Sequence, residues 1–184
     1  IGLLTGDQSI NGDADIIVIE GVMGLFDGPD GAAGSTADLA SSLGLPVILA
    51  VDARHQAQSI AALVHGFSTF RPDVTVAGVL LNRVASDRHA AILHGALGHK
   101  VLGTLRHDDS LVLPSRHLGL VQAEENQDLE TFIETAALAV ARETVLDRIL
   151  EIAGQLVDES VIREALPPLG QRIAIARDTA FAFA

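Results

Sequence analysis

A chain of 184 residues with 48% hydrophobic residues can bury a sizeable core and suits one domain of ordinary size. No apolar run reaches the roughly 18 residues of a membrane span, so a cytoplasmic location is the default expectation. The net charge of −12 speaks against a nucleic-acid surface, and the absence of cysteine excludes disulfides, thiolate metal sites and a cysteine nucleophile within these residues. With neither Trp nor Tyr, the core has to be aliphatic.

The segment "DIIVIEGVMGLFDG" (15–28) runs four β-branched residues, Ile16 to Ile19, into Glu20 and a pair of glycines, Gly21 and Gly24. A short continuous apolar run of this kind reads as a parallel strand covered on both faces. "STADLASSLG" reads as a helix, with Ser35 as its cap, Asp38 three residues on and Gly44 at its end. "LPVILAVDA" (Leu45 to Ala53) is a second buried strand, "QAQSIAALVHGFSTF" a helix, and "VTVAGVLLNRV" (Val74 to Val84) a third strand. "SDRHAAILHGAL" is a helix capped by Ser86 or Asp87, and "KVLGTLRHD" a short fourth strand. Alternation with short connections predicts an α/β fold, a mostly parallel sheet with helices on both faces.

After Asp109 the chain becomes loop-rich, and from Asp128 to Arg163 the apolar spacing predicts one or two amphipathic helices. "ALPPLGQ" has a linker's composition, and "RIAIARDTAFAFA" starts a fresh strand. The expected division is therefore a partial domain over 1–165, a linker over 166–171, and the start of a second domain over 172–184. At the front, "IGLLTGDQSINGDAD" supplies no complete βα unit, and no glycine-rich phosphate loop leads into the single lysine, Lys100. The strand that pairs with Ile16 to Ile19 is therefore expected to be missing, leaving an unprotected apolar edge.

Ligands of open parallel sheets bind beyond the carboxyl ends of the strands. Glu20, Asp52 and Asn82 fall at such ends and are expected to gather along one edge. A carboxylate there suits Mg²⁺, which takes one or two carboxylates plus phosphate oxygens and waters, and Gly21 and Gly24 would let a ligand approach the backbone. Each residue also has a plainer reading. Glu20 can cap the next turn, Asp52 can cap the following helix with a ligand role as the lesser alternative, and Asp27 before Gly28 is an ordinary turn signal as well as a candidate metal or loop-orienting group. The remaining histidines, among them His89 and His94, lack metal-ligand spacing, and the Ala-rich helix at Thr131 to Arg142 reads as packing.

"EGVMGLFDG", "STADLASSLGLPVILAVDA", "GVLLNRV" and "LPSRHLGLVQAEE", in that order, resemble the cobyrinic acid a,c-diamide synthase family (cobyrinate or hydrogenobyrinate a,c-diamide synthase) over most of the chain. The resemblance implies a P-loop NTPase-like core, similar to dethiobiotin synthetase, joined to a class I glutamine amidotransferase domain, with 172–184 as that domain's opening strand. It implies a carbon–nitrogen ligase of cobalamin biosynthesis that uses ATP, Mg²⁺ and glutamine or its ammonia to amidate the a and c carboxylates of a corrin ring through acyl phosphates. On that basis the sequence is a fragment, whose phosphate loop and glutaminase nucleophile lie outside it, and residues 1–184 alone are expected to be inactive. Carried over, Glu20 matches the magnesium-associated glutamate, Gly21 to Gly24 the loop near phosphoryl transfer, and Asn82 an asparagine set against adenine. Arg83 is mainly an edge residue, with phosphate or ring-carboxylate contact as the lesser role. Asp27, Arg116 and His117 are the residues a polyanionic corrinoid could meet, Arg116 because its planar fork suits carboxylates. The same core leaves open cobyric acid synthase, a nickel-sirohydrochlorin a,c-diamide synthase, or a partitioning-type ATPase switch, and it is compatible with a homodimer.

Overall fold

The computed structural model describes residues 2–5, 16–21, 23–30, 33–112 and 128–155, together with 170, 172 and 174. The loop-rich segment with Arg116 and His117, the proposed linker apart from Gly170, and the 172–184 strand apart from Arg172 and Ala174 lie outside the described residues.

In chain order the elements are β1 (Gly2–Thr5), β2 (Ile16–Ile19), α1 (Thr36–Ser42), β3 (Val47–Asp52), α2 (Ile60–Thr69) and β4 (Val76–Val84). They continue with α3 (Asp87–Leu97), β5 (Val101–Arg106), α4 (Leu129–Glu143), α5 (Leu146–Ile152) and β6 (Gly154–Gln155). The sheet order is β2-β1-β3-β4-β5, with β6 pairing on β1. The ladders β3/β4 and β4/β5 are parallel, whereas β1 is antiparallel to both β2 and β3. β2 to β5 thus share one direction, as the alternating pattern predicts, and β1 runs against them.

The sheet's faces follow from the pleat, since successive strand residues point to opposite sides. Val51, Val79, Leu81 and Val101 pack with Ile60, Val64 and Leu93 of α2 and α3. Val47 and Val76 join Leu25 with Ala37 and Ala40 of α1. The opposite face offers Ile48, Leu80 and Leu102 to Ile149 and Ile152 of α5. Helices therefore cover both faces, and among the described residues the buried side chains are aliphatic apart from Ser35.

Two expectations need correction. Ile16 to Ile19 do have a strand partner: Gly2–Thr5 pairs with all four of them, from Gly2↔Ile19 to Thr5↔Ile16. An apolar extended segment close in sequence satisfies that edge by folding back, which a search for a parallel βα unit does not anticipate. β2 still forms one end of the sheet path, and Val18 is 60% exposed there. The amphipathic run after Asp128 gives two helices, α4 and α5, but then turns into the short strand β6 at Gly154. Gly154 approaches Pro46 so closely that a Cβ would lie 3.0 Å from the proline Cδ.

Candidate functional site

The chain at the ends of β3 and β4 forms one connected cluster. Asp52 and Asn82 are direct register partners, and the Ala53 N–H donates to the Asn82 carbonyl at 2.9 Å. Along β4, Leu81 pairs with Thr104 and Val84 with Arg106, so Asn82 and Arg83 together oppose the single residue Leu105. This is a β-bulge, a device that re-aims side chains at the end of a ladder. Arg83 sits there at φ 58, the only non-glycine residue with positive φ among the described residues.

Side chains tie the bulge down. Asn82 Oδ1 accepts the Arg83 backbone N–H at 2.8 Å, and Arg83 Nη1 donates to Asp52 Oδ2 at 2.9 Å. Asp52 Oδ1 accepts the Arg54 N–H at 3.0 Å, and the Arg54 guanidinium reaches Asp52 Oδ2 at 3.4 Å. The Arg54 N–H is the main cause holding the Asp52 carboxyl below its usual pKa, with Arg83 adding to it against some burial. Asp52 therefore does not cap α2, whose N-cap is Ser59. Its carboxylate closes a local turn instead, two residues being closer than eight. His89 braces the same region: its Nε2 meets the Gln56 carbonyl at 2.7 Å and its Nδ1 the Ala85 N–H at 3.2 Å.

Beyond the bulge opens a cleft of about 610 Å³. Asn82, Arg83, Arg106 and His107 line it from the sheet edge. Phe132, Ala136, Ala139 and Val140 line it from α4. A cleft of this size, with an apolar patch on α4 beside Arg142 and Glu143 and convergent polar groups at the sheet edge, has room for a small polar ligand. The α4 wall was not singled out from the sequence, although Phe132, Ala136, Ala139 and Val140 stand at helical spacing on one face.

Glu20 is not part of this cluster. Ile19 and Val47 both pair with Gly2, so β2 ends level with the beginning of β3. From there to Asp52 is about 16 Å along the strands and about 10 Å across two strand spacings. The single-edge expectation fails because antiparallel β1 separates β2 from β3 and sets its register. Glu20 and Asn82 cannot share one ligand shell; they can only meet opposite ends of an extended ligand.

Glu20 itself is exposed at the start of the glycine loop. The loop's glycines answer first to the protein's own packing. A Cβ on Gly21 would lie 2.6 Å from Thr36 Oγ1, one on Gly24 would strike the Asp27 carboxylate, and one on Gly28 would lie 3.0 Å from the Ser35 nitrogen. Asp27 ends a turn whose central residues are Leu25 and Phe26, its N–H donating to the Gly24 carbonyl at 2.9 Å. Among the described residues no three His, Asp or Glu side chains cluster as a ready metal site. A lone exposed carboxylate still fits Mg²⁺, which binds through one or two carboxylates and fills its octahedron with waters and phosphate oxygens.

A family model described as an AAA domain matches residues 3–115. The chain is 53% identical over 176 residues to the hydrogenobyrinate a,c-diamide synthase of Brucella ovis, covering 93% of this chain and 40% of that protein. It is 50% identical over 185 residues to the enzyme of that name from Rhizobium meliloti, covering 98% of this chain and 43% of the relative. To the one from Agrobacterium fabrum it is 42% identical over 178 residues, 93% of this chain and 41% of the relative. The chain thus spans about two fifths of the length of the curated relatives it matches. No solved structure gives a significant match.

Proposed function

Because the chain belongs to the AAA domain family, we propose that it is the nucleotide-binding core of an ATP-dependent synthase that amidates the a and c carboxylates of a corrin ring, with glutamine as the source of ammonia. The observation that carries this is the 53% identity, over 93% of the chain, to proteins named hydrogenobyrinate a,c-diamide synthase. Residues 1–165 would belong to the synthetase domain, 166–171 to a linker, and 172–184 to the start of a glutaminase domain.

A carboxylate is a poor acyl donor, because its charge repels nucleophiles and its leaving group would be oxide. Passing the γ-phosphoryl of ATP to a ring carboxylate makes an acyl phosphate, from which ammonia displaces phosphate to leave the amide. The protein's share is positioning and charge neutralisation. Asn82 would meet the adenine: its Oδ1 already takes the Arg83 N–H, which turns Nδ2 toward an acceptor on the base. Ala136 and Val140 supply an apolar wall for the ring. Glu20, far along the sheet, would serve the other end of the nucleotide as a magnesium ligand, the metal neutralising phosphate charge when bound. Gly21 and Gly24 would shape that loop, while Asp27, Arg116 and His117 would face the corrinoid.

The test uses the full-length protein with ATP, Mg²⁺, glutamine and hydrogenobyrinic acid, followed by mass spectrometry of the ring. Conversion of two carboxylic acids to amides, coupled to ADP formation, is the expected result. A ring returned unchanged in both its metal-free and cobalt-containing forms would defeat the assignment.

A further inference from the structure

The end of β4 holds an energetically odd residue in an orderly setting. Arg83 carries a Cβ and a long side chain, yet its φ of 58 belongs to the left-handed region that glycine or asparagine usually fills. Such a conformation persists only where surrounding contacts over-determine it, and these cluster at functional sites. The contacts here are few and specific. The Arg83 guanidinium donates to Asp52 Oδ2 across the β3/β4 ladder at 2.9 Å, and the Arg83 N–H is taken by Asn82 Oδ1 at 2.8 Å. Asp52 is fixed in turn by the Arg54 N–H, with the Arg54 side chain at the longer distance of 3.4 Å.

We propose that Asp52 is a positioning residue, which holds Arg83 in the left-handed conformation and so sets the bulge that presents Asn82 to the 610 Å³ cleft. The inference rests on the reading of that cleft as the nucleotide-base site, and it assigns Asp52 an indirect role there instead of a ligand's. Without the carboxylate, Arg83 relaxes to negative φ, the two-against-one pairing with Leu105 shifts, and Asn82 Oδ1 loses the N–H that orients the amide.

A double-mutant cycle in the full-length protein separates the alternatives. Asp52→Asn keeps the shape and can still accept the Arg54 N–H, but it loses the charge that grips Arg83. On the Arg83 background it should raise the KM for ATP about three- to fivefold, the scale of a half-exposed ion pair, with kcat changed by less than about twofold. Amide hydrogen exchange at residue 83 should speed up in parallel. Glycine adopts positive φ without restraint, so on an Arg83→Gly background Asp52→Asn should add nothing to either readout. If Asp52→Asn costs the same on both backgrounds, Asp52 contacts the ligand directly and the proposal is wrong. No effect on either background also overturns it. Asn82→Ala serves as the separate control. If it leaves the ATP KM unchanged while exchange at residue 83 still follows Asp52, the base-site reading fails and the Asp52–Arg83 device stands.

Discussion

Ser35 and Asp38 bond each other in both directions at the start of α1. The Ser35 hydroxyl accepts the Asp38 N–H at 3.1 Å, and Asp38 Oδ2 accepts the Ser35 N–H at 2.9 Å and the Ser35 hydroxyl at 2.7 Å. This reciprocal box satisfies donors that the first helical turn leaves open. α1 has only seven residues, too short to persist without its cap and its buried Ala37 and Ala40. Ser35→Ala should lower stability by about 1 kcal/mol, the usual cost of losing such a cap. Ser35→Thr, which keeps a hydroxyl able to donate to Asp38 and accept its N–H, should recover part of it. Urea unfolding of the two variants beside the parent reads the difference directly.

The same carboxylate predicts a pH dependence. Asp38 Oδ2 also accepts the Gly34 N–H at 2.9 Å, and Oδ1 accepts the Arg71 guanidinium at 2.5 Å. The Gly34 N–H, then Arg71, hold this carboxyl well below the usual carboxylate range. Asp73 is lowered likewise, chiefly by Arg71 and then by the Ser41 hydroxyl at 2.8 Å. A carboxyl whose folded pKa lies below its unfolded one stabilises the fold above the unfolded pKa, near 3.9, and loses that stabilisation as pH falls toward the folded value. Stability from these two groups should therefore be full at neutral pH and decline below about pH 4. Asp38→Asn should flatten the acid limb of a plot of urea midpoint against pH. An unchanged acid limb would mean that solvent screens the whole network.

Where α4 gives way to α5 the chain drops onto the sheet. Thr144 forms a bridge with Gly103, the Val145 N–H donates to the Leu102 carbonyl at 2.8 Å, and the Thr144 hydroxyl returns to the Val140 carbonyl at 2.6 Å. Gly103 makes that approach possible. A Cβ there would strike the Thr144 methyl and lie 2.9 Å from Leu80 Cδ2. Gly103→Ala should cost about 1–3 kcal/mol, the range for overpacking a closed contact. Because α4 also walls the cleft at Asn82, ATP affinity in the full-length protein should weaken along with stability. A variant as stable as the parent would show the helix to be free to lift without penalty.

The elements that sequence reasoning recovers are those whose signals are local. Ser35, Asp38 and Gly44 bracket α1, and Gly44 takes the left-handed φ of 64 expected just beyond a helix. Ser86 caps α3 as expected, through the His89 N–H at 3.2 Å. The buried runs of β3 and β4 announce a covered parallel sheet. What escapes is register. Nothing in Ile16 to Ile19 tells whether the neighbouring strand comes from before or after them, or in which direction it runs. Antiparallel Gly2–Thr5 therefore separates Glu20 from a site it was expected to join. Arg83 escapes for a similar reason. "LLNRV" carries no glycine to mark a left-handed residue, because the bulge is imposed by the β5 pairing and the Asp52 contact.

Glu20 carries the sharpest remaining test. It follows directly on β2, it is exposed, and Gly21 behind it is packed against Thr36, so the carboxylate stands on a braced backbone. Replacing it with Gln keeps size and hydrogen bonding and removes the charge a metal needs. In the full-length protein, phosphoryl transfer should fall by at least about two orders of magnitude, the scale of losing one preorganised electrostatic partner. Folding should change little, since an exposed acid at a strand end contributes little packing. Asn82→Ala should instead raise the KM for ATP, because the two residues are too far apart along the sheet to serve the same end of the nucleotide. Acyl phosphate formation at varied Mg²⁺, with ammonia supplied directly to bypass glutamine hydrolysis, separates these effects. Near-normal rates with an unchanged Mg²⁺ requirement in Glu20→Gln would make the glycine loop a structural turn and move the metal ligands elsewhere in the full-length protein.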